Sequence, residues 1–399
     1  MANIAILGFG VVGSGVAEVL TQNAELIEAR IHQKLNIKYI LDLRDFPDSP
    51  FGPLVTHDFN TILNDPEVTI VAEMMGGSHP AYEFSLACLK AGKSVITSNK
   101  EVVANFGVEL LAAAEENNVR YLFEVSVGGG IPIIRPLAND LSANSVCAID
   151  GILNGTTNYI LTKMKNEGSA FVEALAEAQK KGYAEANPTA DVEGIDAARK
   201  VVILAALAFG KLISPDKIYR EGISGITTED FDIAKQLGYS IKLIAHTERV
   251  GDKILAMVSP RLVATSNPLH SVEDVFNGIM VDTDMLGTAM FYGRGAGKLP
   301  TASAVVSDII DAAKAPAFDA SFPVFEPAVD ANIVPFETYS CQNMIVLNKT
   351  AASKAEGING RKIPYADKLV LITDKLSEKV MKQILTEFGN DVISRIRLL

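Results

Sequence analysis

A short apolar run, Ile4-Ala-Ile-Leu7, passes directly into Gly8-Phe-Gly10-Val-Val-Gly13, and residues 14–30 then carry Val16, Val19, Leu20 and Ile27 at helical spacing. A strand that meets a helix through G-x-G-x-x-G commits a chain to the opening βαβ unit of a dinucleotide-binding sheet. The first glycine permits the tight turn, the second lets backbone approach a pyrophosphate, and the third lets helix and strand pack closely. The helix N-terminus turns partial positive charge toward the phosphates. Gly8, Phe9, Gly10, Val11, Val12 and Gly13 are therefore the expected cofactor turn.

The second strand, residues 37–41, ends at Asp42, with Arg44 two residues on. A carboxylate there holds a ribose 2′-hydroxyl and repels a 2′-phosphate, whereas an arginine binds one, so the two residues point to different cofactors. The expectation is NADP slightly favoured, with NAD accepted. Residues 68–72, 94–97 and 120–123 read as further strands and 81–91 and 106–117 as helices, an alternation that predicts a Rossmann-type, doubly wound parallel sheet. Thr97-Ser98-Asn-Lys100 lies at the carboxyl edge of that sheet, where ligands bind. Lys100 faces the nicotinamide or substrate on this reading; on the other, Ser-Asn is plain helix capping.

A chain of 399 residues with 48% hydrophobic and 21% charged residues has enough apolar content for two or three domains. Its net charge of -12 and lack of any Lys/Arg-rich run argue against a nucleic-acid partner. Cys88, Cys147 and Cys341 form no C-x-x-C and suit free thiols in a reducing cytoplasm. No basic leader and no apolar run of roughly 18 residues is present, so a soluble, cytoplasmic, non-membrane protein is expected.

Past residue 130 the strict alternation stops. Residues 145–153 read as a strand leading into Gly155-Thr156-Thr-Asn158 and a helix from Tyr159; residues 239–246 and 254–258 read as a hairpin, and 279–282 and 288–292 as further strands. That pattern implies a mostly antiparallel sheet with one face covered. Gly293-Arg-Gly-Ala-Gly297 precedes a helix that starts near Pro300, as hinge or as ligand loop. The stretch from Gly182 to Lys200 is rich in carboxylates and runs into Val-Val-Ile-Leu-Ala-Ala-Leu-Ala-Phe209, a helix with no polar face. Asp196 and Lys200 sit at i and i+4, which on a surface is an ordinary ion pair. In a dry setting the ammonium needs a carboxylate partner, a reason to be neutral, or both.

A nicotinamide dehydrogenase acting on an alcohol moves a hydride and a proton, so it needs a proton-transfer group at the carbinol oxygen. None of His32, His57, His79, His246 and His270 has triad or metal-ligand spacing, and no zinc constellation is present. Lys100 and Lys200 remain. Glu185, Asp191 and Asp196 suit a substrate that carries an ammonium group.

Gly8 to Gly13, Thr97 to Lys100, Phe123-Glu-Val-Ser-Val-Gly-Gly-Gly-Ile-Pro132, Asn154-Gly-Thr-Thr-Asn-Tyr159, Gly182 to Lys200 and Gly293 to Gly297 with Pro300-Thr-Ala-Ser303 together resemble homoserine dehydrogenases, over residues 1 to about 325. The resemblance implies reversible NAD(P)H-dependent interconversion of L-aspartate 4-semialdehyde and L-homoserine, on the route to threonine, methionine and isoleucine. It implies Lys200 as proton donor, Lys100 assisting at the reacting oxygen, and Glu185 and Asp196 holding the substrate amine or hydroxyl. Tyr183, Asp191, Gly155 and Thr156 line the same pocket on this reading, with Gly182 and Gly297 near the cofactor. It also implies a structural sodium ion at Glu124 and the carbonyls of Val127, Gly129 and Ile131, and a homodimer or dimer-based oligomer.

The implied organisation is a dinucleotide-binding domain over 1–130 completed by a helix at 300–315, an α+β substrate and dimerisation domain over 131–299, and a C-terminal region over 326–399. That last region stands where relatives carry a regulatory ACT domain. An Asp-Arg-Pro-Gly-like loop is missing after residues 337–347, so a shortened, degenerate ACT-like tail is expected, with threonine inhibition doubtful. A rival enzyme, aspartate-semialdehyde dehydrogenase, needs a cysteine nucleophile that Cys147 does not suit. A redox-sensing dinucleotide-binding module explains the glycine turn but not the carboxylate and lysine cluster after Gly182.

Overall fold

The computed structural model describes residues 1–320 and 322–399. Six parallel strands, β1 (Ala2–Leu7), β2 (Leu35–Leu41), β3 (Val55–Thr56), β4 (Val68–Glu73), β5 (Ser94–Thr97) and β6 (Tyr121–Leu122), form one sheet in the order β3-β2-β1-β4-β5-β6. Every residue of β1 is buried, as expected of a strand covered on both faces. The order reverses between β1 and β4, which opens a crevice at their carboxyl ends. The glycine turn follows β1 into that crevice. Where the periodicity over residues 14–30 reads as one helix, the structure has two, Val11–Gln22 and Ala24–Ile31. Asn23, a poor helix former, leaves helical backbone between them. The helix Lys298–Lys314 returns from the far end of the second sheet to pack on Val11–Gln22 and the floor formed by β4 and β5.

The second sheet has ten strands. Its first half runs Thr288–Arg294, Phe276–Thr283, β7 (Val146–Ile152), Tyr239–Val250 and Lys253–Ala264, all antiparallel neighbours. The sheet then continues into the C-terminal segment through a parallel pairing of Lys253–Ala264 with Val392–Leu398, in which Arg261 faces Arg397. Beyond lie Asn343–Asn348, Lys368–Thr373 and Gly360–Tyr365. With the single-turn helix Ala352–Ala355 and the helix Glu378–Phe388, the segment is a βαββαβ unit whose strands lie in the order 4-1-3-2. The first strand of this unit, Asn343–Asn348, follows a turn at Phe336–Thr338.

The helix Ile195–Phe209 joins the two sheets. Gly194 and Gly210, at φ 74° and 76°, bound it at either end, a conformation that glycine adopts without a steric penalty. Val201 to Ala206 are all fully buried. The helix packs on the Tyr239–Val250 and Lys253–Ala264 strands and against the helix Lys100–Glu116 of the first sheet. No helix among the described residues is long and apolar enough to cross a membrane. Truncating the centre of this helix leaves a cavity that rigid neighbours cannot fill. Leu204→Ala should therefore cost about 2–5 kcal/mol in a urea titration, shifting the midpoint with little change in slope; an unchanged midpoint would remove the helix from the core.

Candidate active site

The glycine turn is built for close approach. A Cβ on Gly8 (φ 91°) would lie 2.9 Å from the Met74 carbonyl oxygen, and one on Gly13 would lie 2.0 Å from that of Gly8, while nothing lies within 4 Å of one on Gly10. Two positions thus exclude any side chain and the third faces open space. The Phe9 ring is buried edge-on to Phe46 and Phe51; Val11 is exposed, and Val12 faces a cavity beside the turn. Two hollows flank the turn. One, of about 530 Å³, is lined by Gly8, Gly10, Asp42, Arg44, His57 and Gly76. The other, of about 540 Å³, takes in Val12, Ser98, Lys100, Asp196, Lys200 and Gly297. This arrangement fits a dinucleotide laid across the turn, adenosine on one side and nicotinamide on the other.

Asp42 and Arg44, which the sequence sets against each other, are one ion pair. Asp42 takes the Phe9 N–H at 2.8 Å and the Arg44 N–H, Nε and Nη2 at 3.0, 3.0 and 3.1 Å. Hydrogen bonds from the Arg44 side chain, with the two backbone donors, outweigh burial and hold the Asp42 carboxyl at about 2.

Asp196 is the hub of the second of these cavities. Its Oδ1 lies 2.6 Å from Lys100 Nζ and its Oδ2 2.9 Å from Lys200 Nζ. Lys200 Nζ also donates to the Leu153 carbonyl at 2.7 Å. Asn154 Nδ2 donates to Asp191 at 2.7 Å and to Asp196 at 2.9 Å, and its Oδ1 caps the helix Gly155–Glu167 by accepting the Thr157 N–H. Burial pushes the Asp196 carboxyl up, but the ammonium groups of Lys200 and Lys100 overcome it and hold it well below the usual range. The lysines divide. Burial dominates at Lys200, with 10% of its side chain exposed, and lowers its pKa; at Lys100, 38% exposed, Asp196 outweighs burial and raises it. Burial also raises Asp191, Asn154 opposing.

Thr156 Oγ1 donates to the Tyr183 carbonyl at 2.6 Å, tying the helix mouth to the Gly182–Tyr183 wall. Gly182 and Tyr183 line the cavity, while Glu185 does not. Its side chain is exposed, and among the described residues only its carbonyl is engaged, by Gln179. Ser98 faces the cavity, whereas Thr97 is turned inward, donating to Glu73 at 2.6 Å and accepting the Asn99 N–H. Glu73, the one acid of strand β4, also takes the Met75 N–H, and burial pushes its carboxyl up to about 7. In the sequence Asn154 stands only as part of a motif and Glu73 is not singled out; an Asn before a helix and a lone acid ending an apolar strand are their signals.

Gly129 and the Arg294–Gly297 loop interlock, since a Cβ on Gly129 would meet the Gly295 carbonyl at 2.0 Å and the Gly130 N–H donates to Arg294. The Glu124 carboxylate accepts the N–H groups of Ile133, Ile134 and Arg135, so it is committed to protein and is not a free cation ligand. Val127, Gly129 and Ile131 are buried residues, and their carbonyl oxygens are the donor type that a hard cation takes. No cluster of three or more His, Cys, Asp or Glu able to hold a metal is found among the described residues.

Family profiles described as "Homoserine dehydrogenase, NAD binding domain" and "Homoserine dehydrogenase" match residues 8–124 and 132–310. The homoserine dehydrogenase of Neisseria gonorrhoeae is 43% identical over 82% of this chain and 76% of its own length. The chain belongs to the homoserine dehydrogenase family. The Lactococcus lactis homoserine dehydrogenase is 42% identical over 77% of this chain and 73% of its own. Among solved structures, a homoserine dehydrogenase from Thiobacillus denitrificans aligns over 100% of this chain and 98% of its own at a TM-score of 0.91 and 35% identity. A hyperthermophilic archaeal homoserine dehydrogenase in complex with NADPH aligns at 0.68 and 30% identity, over 80% of this chain and 99% of its own. The first domain therefore binds a nicotinamide dinucleotide. Asn154→Ala removes the donor shared by Asp191 and Asp196 together with a helix cap. It should cost about 1–3 kcal/mol of stability by thermal or denaturant unfolding; no loss would mean that water replaces the amide at no cost.

Proposed function

We propose that the chain catalyses reversible NAD(P)H-dependent reduction of L-aspartate 4-semialdehyde to L-homoserine. The observation that carries this reading is Asp196 bridging Lys100 and Lys200 in the cavity that begins at the glycine turn. A nicotinamide ring, when bound, exchanges hydride with the carbinol carbon. The chain supplies the proton path and the alignment. In the oxidative direction Lys200 Nζ, as the free amine, takes the hydroxyl proton; in reduction its ammonium returns a proton to the carbonyl oxygen. Burial makes the neutral amine reachable at lower pH than for an exposed lysine. Lys100, held charged by Asp196, stabilises negative charge on that oxygen. Asp191 and Asp196 receive the substrate ammonium, and the helix mouth at Gly155 and Thr156 receives its carboxylate. Tyr183 closes the mouth, and Glu185 joins the ammonium site by an inward turn of its loop.

For the cofactor we favour NADP with NAD accepted, because Arg44 neutralises the acid that would otherwise repel a 2′-phosphate. A structural sodium ion is assigned to the Glu124 segment, through the carbonyls of Val127, Gly129 and Ile131. The C-terminal βαββαβ segment is taken as a shortened ACT-like unit, and the working protein as a cytoplasmic homodimer.

Purified protein given L-homoserine and NADP or NAD should raise the absorbance near 340 nm. Bound cofactor with no turnover would overturn the assignment. Lys200→Ala should lower kcat at least about 10²-fold with little change in cofactor affinity, while an unchanged kcat would take the proton away from Lys200. The oxidation rate should rise with pH through a titration lying below the ordinary lysine value, and that limb should vanish in Lys200→Ala.

A further inference from the structure

The cleft on the adenosine side of the glycine turn holds a titratable group that the reaction does not use. His57 stands beside the Asp42–Arg44 pair, with 53% of its side chain exposed. Its Nδ1 lies 2.7 Å from the Asp42 carbonyl oxygen; a carbonyl only accepts, so Nδ1 carries a proton and donates it. Its Nε2 lies 3.1 Å from the Asp45 carboxylate, which also only accepts, so that contact is a hydrogen bond only when the ring is doubly protonated. Asp42, Arg44 and Asp45 are the charged groups facing it from the segment after β2. Asp58, next to it in the chain, is turned to the Asn60 N–H as a helix cap, and Phe59, Phe84, Met74 and Met75 supply the apolar wall. The bond to the Asp42 carbonyl raises the imidazole pKa, burial opposes, and Asp45 adds to the rise.

The end of β2 is where a dinucleotide fold places the ribose 2′ position. Asp42 is not the free acid that selects a 2′-hydroxyl there, since its oxygens take N–H groups from Phe9 and Arg44. A group at the 2′ position therefore meets Arg44 and, beside it, the His57 ring. We propose that His57 is a second cofactor-specificity residue, a titratable partner of Arg44 for the 2′-phosphate of NADP, so that preference for NADP over NAD falls as pH rises through its titration. The inference deepens the cofactor part of the proposed function and rests on it. The sign follows from charge. Protonated His57 adds a cation beside Arg44, and Asp45, itself 83% exposed, is free to turn toward solvent. Neutral His57 keeps its Nδ1–H on the Asp42 carbonyl and presents only a lone pair. NAD has no 2′-phosphate to sense the difference.

The test is the NADP-to-NAD ratio of kcat/KM for homoserine oxidation between about pH 6.5 and about pH 9, above the second ionisation of the phosphate near about pH 6. The ratio of dissociation constants for the two cofactors is measured alongside it. Wild-type ratios should fall about tenfold across that range. In His57→Asn, whose amide can replace the Nδ1–H donor, they should be low and flat, and in His57→Lys high and flat. A flat wild-type ratio, or the same slope in His57→Asn, overturns the proposal. Should neither cofactor support turnover, the proposed reaction fails by itself and the dissociation constants still decide the role of His57.

Discussion

One buried carboxylate, Asp196, holds two ammonium groups that come from different parts of the chain. Lys100 opens a helix of the parallel sheet, and Lys200 lies within the central helix of the second sheet. Asp196 and Lys200 are buried charges tolerated only as partners, with Lys100 reaching the same carboxylate from the more exposed side. Removing one partner of a buried ion pair typically costs about 3–5 kcal/mol, because the charge left behind has neither water nor counter-ion. The apolar helix that follows explains the placement. Val201 to Ala206 are buried from every side, which fixes the first turns of the helix, and with them Asp196 and Lys200, at the junction between the sheets. The cavity takes its chemistry from that junction: a dry amine beside a charged one, facing the glycine turn.

The C-terminal segment is not a pendant. Its last strand pairs in parallel with Lys253–Ala264, and Arg397, fully buried, donates to Glu378 and Glu221 and lies over the Tyr219 and Phe336 rings. Lifting the segment away would part that guanidinium from Glu221 and the Tyr219 ring. Lys100, Asp196 and Lys200 nonetheless all precede it in the chain. The segment therefore extends the second sheet outward from the part that carries those three residues.

What the sequence disclosed was local. A strand, a glycine turn and a helix obey short-range periodicities, so β1 and the turn were legible, and so was an apolar helix entered through Asp196 and Lys200. What it withheld was long-range or backbone-borne. Nothing local says that Lys100 would reach the same carboxylate as Lys200, or that the Leu153 carbonyl would be a partner of the amine. Asp42 and Arg44 read as competing signals because a motif treats residues singly, whereas the fold makes each the other's partner. Thr97 was placed by its position at the sheet edge and Glu185 by its charge and the family resemblance; the side chain of one turns inward to Glu73 and that of the other stands in solvent. His57 had no spacing to mark it, since its neighbours come together only when β2 and the segment after β3 meet.

The central claim is that a shared carboxylate and unequal burial split two lysines into a proton carrier and a fixed cation. Titration of the lysine amines by ¹⁵N NMR, with Lys100→Arg and Lys200→Arg used to assign the two signals, measures this directly. The account predicts that Lys200 titrates below the ordinary lysine value of 10.5 and Lys100 above it. The reverse order, or both amines shifted upward, would contradict it.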